Sequence, residues 1–195
     1  MNSLPNIKEI EKQITDIKTF NELTLNNITN VLAEPWGIFC TRLSMLSSQK
    51  ASNIVQTKFI KEFGLDVVPS KIDRGDAKKN DTYFEYKYSY VKTDKDKLDI
   101  LQIRLYQNIQ YYVVSLFDII TFPATHVLFL LTHDEMLNEC NLLGGTTHGT
   151  KAATKNNQNK EYSIHLHSSD NNFKRWIDTY SILEGNLKTK INNIK

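Results

Sequence analysis

Apolar residues near the start of the chain recur at helical spacing. Ile7, Ile10, Ile14, Ile17, Phe20 and Leu23 share one face of a 3.6-residue period, so residues 6–33 are expected to form one or two amphipathic helices. Asn26-Asn27 offers a break within them, and Pro35-Trp36-Gly37 ends the segment. Residues 38–47 and 50–63 predict two more helices, the second closed by Gly64 as a C-cap. Beyond Gly64 the pattern changes to that of strands. Leu98–Arg104, Tyr111–Asp118 and Thr125–Thr132 alternate or run apolar at strand length. The middle run, YQNIQYYVVSLFDII with its flanks, also supports a helical face, but Tyr, Val and Ile dominate it and favour a strand. A short helix is expected over Asp134–Leu143, with Thr132 or His133 near its N-cap and Gly144-Gly145 at its end, and YSIHLH reads as a further strand. Residues 170–183 predict the last helix, capped near Ser169 or Asp170, with Phe173, Trp176, Ile177 and Tyr180 as its core-facing stripe. The tail KTKINNIK is expected to be a frayed basic end. The sum is an α/β chain with a mixed central β-sheet flanked by helices. Its single domain divides into an N-terminal helical segment (1–34), a core (35–183) and a tail (184–195).

The densest chemistry lies in Asp73–Tyr90, DRGDAKKNDTYFEYKYSY. Successive side chains of a strand alternate faces. Phe84, Tyr86, Tyr88 and Tyr90 therefore share a face suited to a core, and Tyr83, Glu85, Lys87 and Ser89 share the other. That second face sets a carboxylate beside an ammonium. If the polar turn before the strand folds the chain back, Asp76 approaches Glu85. Two close carboxylates without a cation repel each other, and one takes up a proton. With a hard divalent ion between them they become oxygen ligands, which suits magnesium. A neighbouring lysine then orients the attacking water or helps to deprotonate it, an arrangement for cutting a phosphodiester. A solvated hairpin face is the plain alternative. Acid-x-Lys triplets also occur at Asp16-Ile17-Lys18 and Asp76-Ala77-Lys78, but only Glu85-x-Lys87 combines an aromatic strand with an acid upstream across a turn.

Gly75-Asp76, eight residues, and Glu85-Tyr86-Lys87 followed by Ser89 resemble the PD-(D/E)xK nuclease signature, with Gly75 standing where a proline usually precedes the first acid. More of the chain, roughly 45–180, is similar to bacterial type II restriction endonucleases of that superfamily. The segments that carry the likeness are Lys50–Gly64 leading into Arg74-Gly75-Asp76, then Leu101-Gln102-Ile103-Arg104, then Thr132–Gly149 with Thr147-His148-Gly149-Thr150. The resemblance implies a restriction-endonuclease-like fold and hydrolysis of double-stranded DNA to 5′-phosphate ends. It makes Asp76 and Glu85 the ligands of Mg2+ (with Mn2+ as a substitute), joined by the Ala77 or Tyr86 carbonyl, and Lys87 the residue that positions water. In such nucleases the preceding helix often adds an acid; Glu62 is the candidate, a solvated glutamate the alternative. Cutting both strands with one site per chain implies a homodimer on a palindromic target.

Arg74 joins the candidate DNA contacts. Gln102 and Arg104 are expected on one strand face, Arg104 contacting phosphate or guanine, or else pairing with Glu85, Asp99 or another acid. The segment after Gly145, TTHGTKAATKNNQNK, is a long polar loop, functional or disordered. Its Lys151 and Lys155 suit phosphates, Asn156 and Asn157 suit adenine edges, and His148 joins them; a mobile surface loop is the alternative. Two rival functions accompany the restriction enzyme: a structure-selective repair or junction nuclease of the same fold, and a non-catalytic DNA-binding module.

Composition narrows the classes. At 195 residues and 40% hydrophobic content the chain can bury a substantial core. A net charge of +2 permits nucleic-acid binding without demanding it, so any basic surface is local. Cys40 and Cys140 form no C-x-x-C pair, which argues against zinc and against a disulfide scaffold, and leaves buried thiols. His165 and His167 share a strand face without a third ligand, which fits a polar face better than a metal site. The charged N-terminus lacks a signal-peptide core, and no run approaches the ~20 apolar residues of a membrane helix. A cytoplasmic protein with no membrane partner is expected.

Overall fold

The computed structural model describes residues 36, 39, 48–69, 74–91, 97–118, 125–143, 146–148, 161–167 and 169–194. The helices expected over 6–33, the 38–47 helix apart from Phe39, and residues 149–160 lie outside them.

Helix α1 (Ser48–Glu62) forms because Ala51, Val55 and Phe59 recur every fourth residue and bury one face. It stops at Gly64, whose φ of 61° is a left-handed conformation that glycine adopts without strain. Then come β1 (Asp66–Val67), β2 (Ala77–Lys79), β3 (Thr82–Val91), β4 (Lys97–Ile103), β5 (Tyr111–Asp118) and β6 (Thr125–Thr132). Helix α2 (His133–Leu142), β7 (Thr146–His148), β8 (Glu161–His167), α3 (Asn171–Tyr180), β9 (Ser181–Ile182) and α4 (Glu184–Asn192) complete the order.

Among the described residues the central sheet has six strands in the order β1-β2-β3-β5-β6-β9, with β3 and β5 parallel and the other pairs antiparallel. The fold is therefore α/β with a mixed central sheet flanked by helices. The Leu98–Arg104 strand does not join that sheet. It is β4, which pairs with β8 in a second, antiparallel sheet ordered β4-β8-β7. Parallel neighbours cannot be joined by a tight hairpin, so the chain between β3 and β5 crosses a face of the sheet, and β4 rides on that crossing.

β5 is buried on both faces, as a central strand should be. Val113 and Phe117 face a cluster with Phe84 and Tyr86 of β3, Val55 and Phe59 of α1, and Leu187 and Ile191 of α4. Tyr112, Val114 and Leu116 face the opposite cluster, with Leu98 and Ile100 of β4, Ile164 and Leu166 of β8, Met136 of α2 and Trp176 of α3. The aromatic face expected of β3 thus packs on the first cluster. Buried Glu139 of α2 accepts hydrogen bonds from Arg175, Trp176 and Tyr180, which fastens α2 to α3.

Three further expectations need correction. The last helix is not continuous to 183: α3 ends at Tyr180, and Ser181–Ile182 adds an edge strand to β6. The tail is not frayed, because Leu187 and Ile191, four residues apart, bury α4 against the core despite the charges around them. Part of the polar loop after Gly145 is also ordered, as β7 pairs Thr146, Thr147 and His148 with Ser163, Tyr162 and Glu161. Among the described residues no helix is long and apolar enough to cross a membrane. Replacing Ile191 by Ala is expected to lower unfolding free energy by about 2–5 kcal/mol in denaturant titration, whereas a frayed tail would show no change.

Candidate active site

The β2–β3 hairpin builds the site. Lys79 pairs with Thr82, so Asn80-Asp81 is a two-residue turn, and Asn80 takes the left-handed φ of 53° that asparagine tolerates. The hairpin brings Ala77 opposite Phe84, and the Asp76 amide donates to the Phe84 carbonyl at 2.9 Å. Gly75 makes this approach possible. Its φ is 80°, and a Cβ there would lie 2.6 Å from the Phe84 oxygen. Proline fixes φ near −65°, so the residue that commonly precedes the first acid of the signature does not fit this backbone.

β2 leaves β3 beyond Phe84. Where the next ladder acceptor would stand, Asp76 Oδ2 accepts from the Tyr86 amide at 2.9 Å. One residue back along the strand, Glu85 is buried at 2% exposure, and its Oε1 lies 2.6 Å from Lys87 Nζ. Burial and the charge of Glu85 push the Asp76 carboxyl up to about 6, against the pull of Lys87, the Tyr86 amide and Arg104. Asp76, Glu85 and Lys87 thus face one groove of about 480 Å³.

The far wall of that groove is β4. Its register against β8 shifts between Ile100 and Ile103, a bulge that turns Leu101 and Gln102 outward. Gln102 holds a φ of 56°, unusual for a residue with a side chain, and strain of this kind gathers at functional sites. Arg104 lines the same groove, its Nε 2.8 Å from Glu161 Oε1 of β8. Gln102 and Arg104 therefore stand beside the acidic pair, and the partner acid of Arg104 is Glu161.

Other candidates lie elsewhere. Glu62 is six residues, about 9 Å of helix, past Gln56, the last α1 residue in the groove wall. It pairs with Lys58 at 3.6 Å, so α1 adds no acid to the pair. Lys58 itself is buried, with its ammonium 4.8 Å from the Trp36 ring centre. Arg74 is exposed and lies over the Tyr83 ring, outside the groove wall. His148 is placed only by its register opposite Glu161, and Lys151, Lys155, Asn156 and Asn157 lie outside the described residues.

The sequence reading missed Asn53, Gln56 and Asp99 as groove residues. Gln56 and Ser52 sit off the buried stripe of α1, a signal that marks a polar face but not what it confronts. The Asp99 amide donates to Ser89 Oγ at 3.1 Å, and its carboxylate pairs with His165, which makes the histidine strand face a polar one. Cys140 is a buried free thiol pushed up to about 12 by burial and by Glu139. Among the described residues no group of three or more His, Cys, Asp or Glu stands ready to hold a metal. No protein-family model matches the chain, and no curated protein matches it either.

Two outcomes follow from this geometry. Gly75→Ala is expected to cost about 3 kcal/mol of stability, from the left-handed φ and the clash with Phe84, read as a lower denaturation midpoint. For Asp76, the folded carboxyl binds its proton more tightly than the unfolded one, so stability is full below pH 3.8 and falls as pH rises through about 6. Asp76→Asn removes that loss. Thermal melts should show the variant more stable than wild type at pH 8, by on the order of 2 kcal/mol, with the advantage gone at pH 3.5.

Proposed function

We propose that this chain is a magnesium-dependent endonuclease of the PD-(D/E)xK type, acting on double-stranded DNA in the manner of type II restriction enzymes, with a restriction-endonuclease-like core. The observation that carries the reading is the convergence of Asp76, Glu85 and Lys87 on one groove from two arms of a hairpin. A strand face meant only for solvent has no need to bury Glu85 beside a second acid.

The acid pair fits a hard divalent cation. Asp76 is driven toward protonation by burial and by Glu85, the electrostatic condition that a cation relieves. Two carboxylates suffice for Mg2+, which keeps several waters and shares its remaining positions with substrate phosphate. Asp76 and Glu85 would hold the ion, with Mn2+ able to take its place. Bound there, it supplies positive charge to the scissile phosphate and a water of lowered pKa. The Lys87 ammonium, held in place by Glu85, donates a hydrogen bond to the water or to a phosphate oxygen. Arg104, fixed by Glu161, draws the phosphate into the groove. The water oxygen would bond to phosphorus as the bond to the 3′ oxygen breaks, the attacking water giving up a proton to solvent and the 3′ oxygen taking one from solvent, which leaves a 5′-phosphate and a 3′-hydroxyl. A homodimer in the cytoplasm, cutting a palindromic target, completes the reading.

Incubation of unmethylated plasmid and phage DNA with Mg2+ tests it. Wild type should give discrete bands, and Lys87→Ala should cut at least about 100-fold more slowly while still binding DNA. Binding without any cleavage by wild type would favour the non-catalytic module. Cleavage that tracks DNA shape instead of sequence would favour the repair or junction nuclease.

A further inference from the structure

A second cavity, of about 550 Å³, lies beside the catalytic groove, and nothing in the proposed hydrolysis uses it. One segment serves both. Arg104 faces Asp76 and Glu85 in the groove, and the residues from Leu105 to Gln110 wall the cavity. Its other wall is the start of α2, with His133 and Asp134.

The two sites differ in charge. Lys87 and Arg104 line the groove beside its acids, whereas among the described residues no lysine or arginine lines the cavity and the exposed carboxylate of Asp134 does. With a cation on its acids the groove would suit phosphate, whereas these cavity residues offer phosphate no basic partner. Neutral hydrogen-bonding groups suit the cavity.

The hydrogen bonds there have a fixed direction. The Tyr83 amide can only donate, so Gln110 presents Oε1 to it, at 2.7 Å. Gln110 Nε2 is thereby turned to Asn108 Oδ1 at 2.9 Å. That contact fixes the Asn108 carboxamide, leaving its Nδ2 amide and one lone pair of Oδ1 to an incoming group. Asn108 is exposed, yet its orientation is set through Gln110 by the backbone of β3. His133 Nδ1 lies 3.1 Å from the Ile109 carbonyl, so Nδ1 carries a hydrogen and Nε2 is the ring nitrogen left to meet an incoming group. An oriented amide with both a donor and an acceptor free matches the N7 and N6 edge of adenine in the major groove. Tyr83 precedes Glu85 by two residues, roughly 7 Å of strand, and base pairs are spaced about 3.4 Å apart. A base read by Asn108 would therefore lie within a few pairs of the cleaved phosphate.

We propose that this cavity reads base edges of duplex DNA and that Asn108 is a specificity-determining residue whose partner is an adenine; the inference rests on the nuclease reading above. The test is selection of bound duplexes from a randomised pool, with Ca2+ replacing Mg2+, using wild type, Asn108→Ala and Asn108→Asp. Wild type should enrich a motif with one invariant A·T pair. Both variants should melt like wild type and lose preference at that pair alone, by about five- to 150-fold. An unchanged motif in Asn108→Ala, or a loss spread evenly over all positions, overturns the assignment. A wild type that cuts DNA but enriches no motif removes the base-reading cavity and leaves the nuclease. A wild type that neither binds nor cuts duplex removes both.

Discussion

The site depends on how closely Gly75-Asp76 can approach the edge of β3. A side chain at position 75 would collide with the Phe84 carbonyl, and without that approach Asp76 could not reach the Tyr86 amide. The contact replaces one rung of a β ladder with a carboxylate. It satisfies a backbone donor at the strand edge, and it places an acid beside Glu85 at the same time. The raised proton affinity of Asp76 comes from its burial and from the nearness of Glu85, which outweigh the Tyr86 amide.

Charge is then divided along one surface. The groove holds three acids, Asp76, Glu85 and Asp99, with Lys87 and Arg104, a mixture suited to a metal-bridged phosphate. The neighbouring cavity holds amides, an imidazole and Asp134, a mixture suited to base edges. The 104–110 segment spans both, so a substrate lying along it would meet positive charge at its backbone and hydrogen-bonding groups at its bases. The bulge in β4 opens the groove on its far side and holds Gln102 in a strained backbone for it.

Much of this was legible in the residues. The alternation in β3 correctly separated Phe84 and Tyr86 from Glu85 and Lys87, because a period of two leaves little freedom once one face is apolar. The polar turn at Asn80-Asp81 announced the hairpin that brings Asp76 back to Glu85. Long-range placement was not legible. Nothing local told β4 that it would pair with β8 and not enter the central sheet, or that Glu161 would meet Arg104 across it. Helical periodicity put Glu62 on α1 but could not show that the groove takes Ser52, Asn53 and Gln56 instead. In the tail, Leu187 and Ile191 carried the helical spacing, and the surrounding lysines and asparagines hid it. The cavity around Asn108 went unread because its order comes from a hydrogen bond to a strand twenty-seven positions away.

Cleavage at this groove requires that Asp76 and Glu85 together hold a divalent cation. Calorimetric titration of Mn2+ into the protein without DNA measures that directly, with Asp76→Asn and Glu85→Gln alongside. Saturable binding by wild type that disappears in both variants is the predicted result. Binding that persists in both variants, or no binding by wild type with or without a DNA duplex, would contradict it.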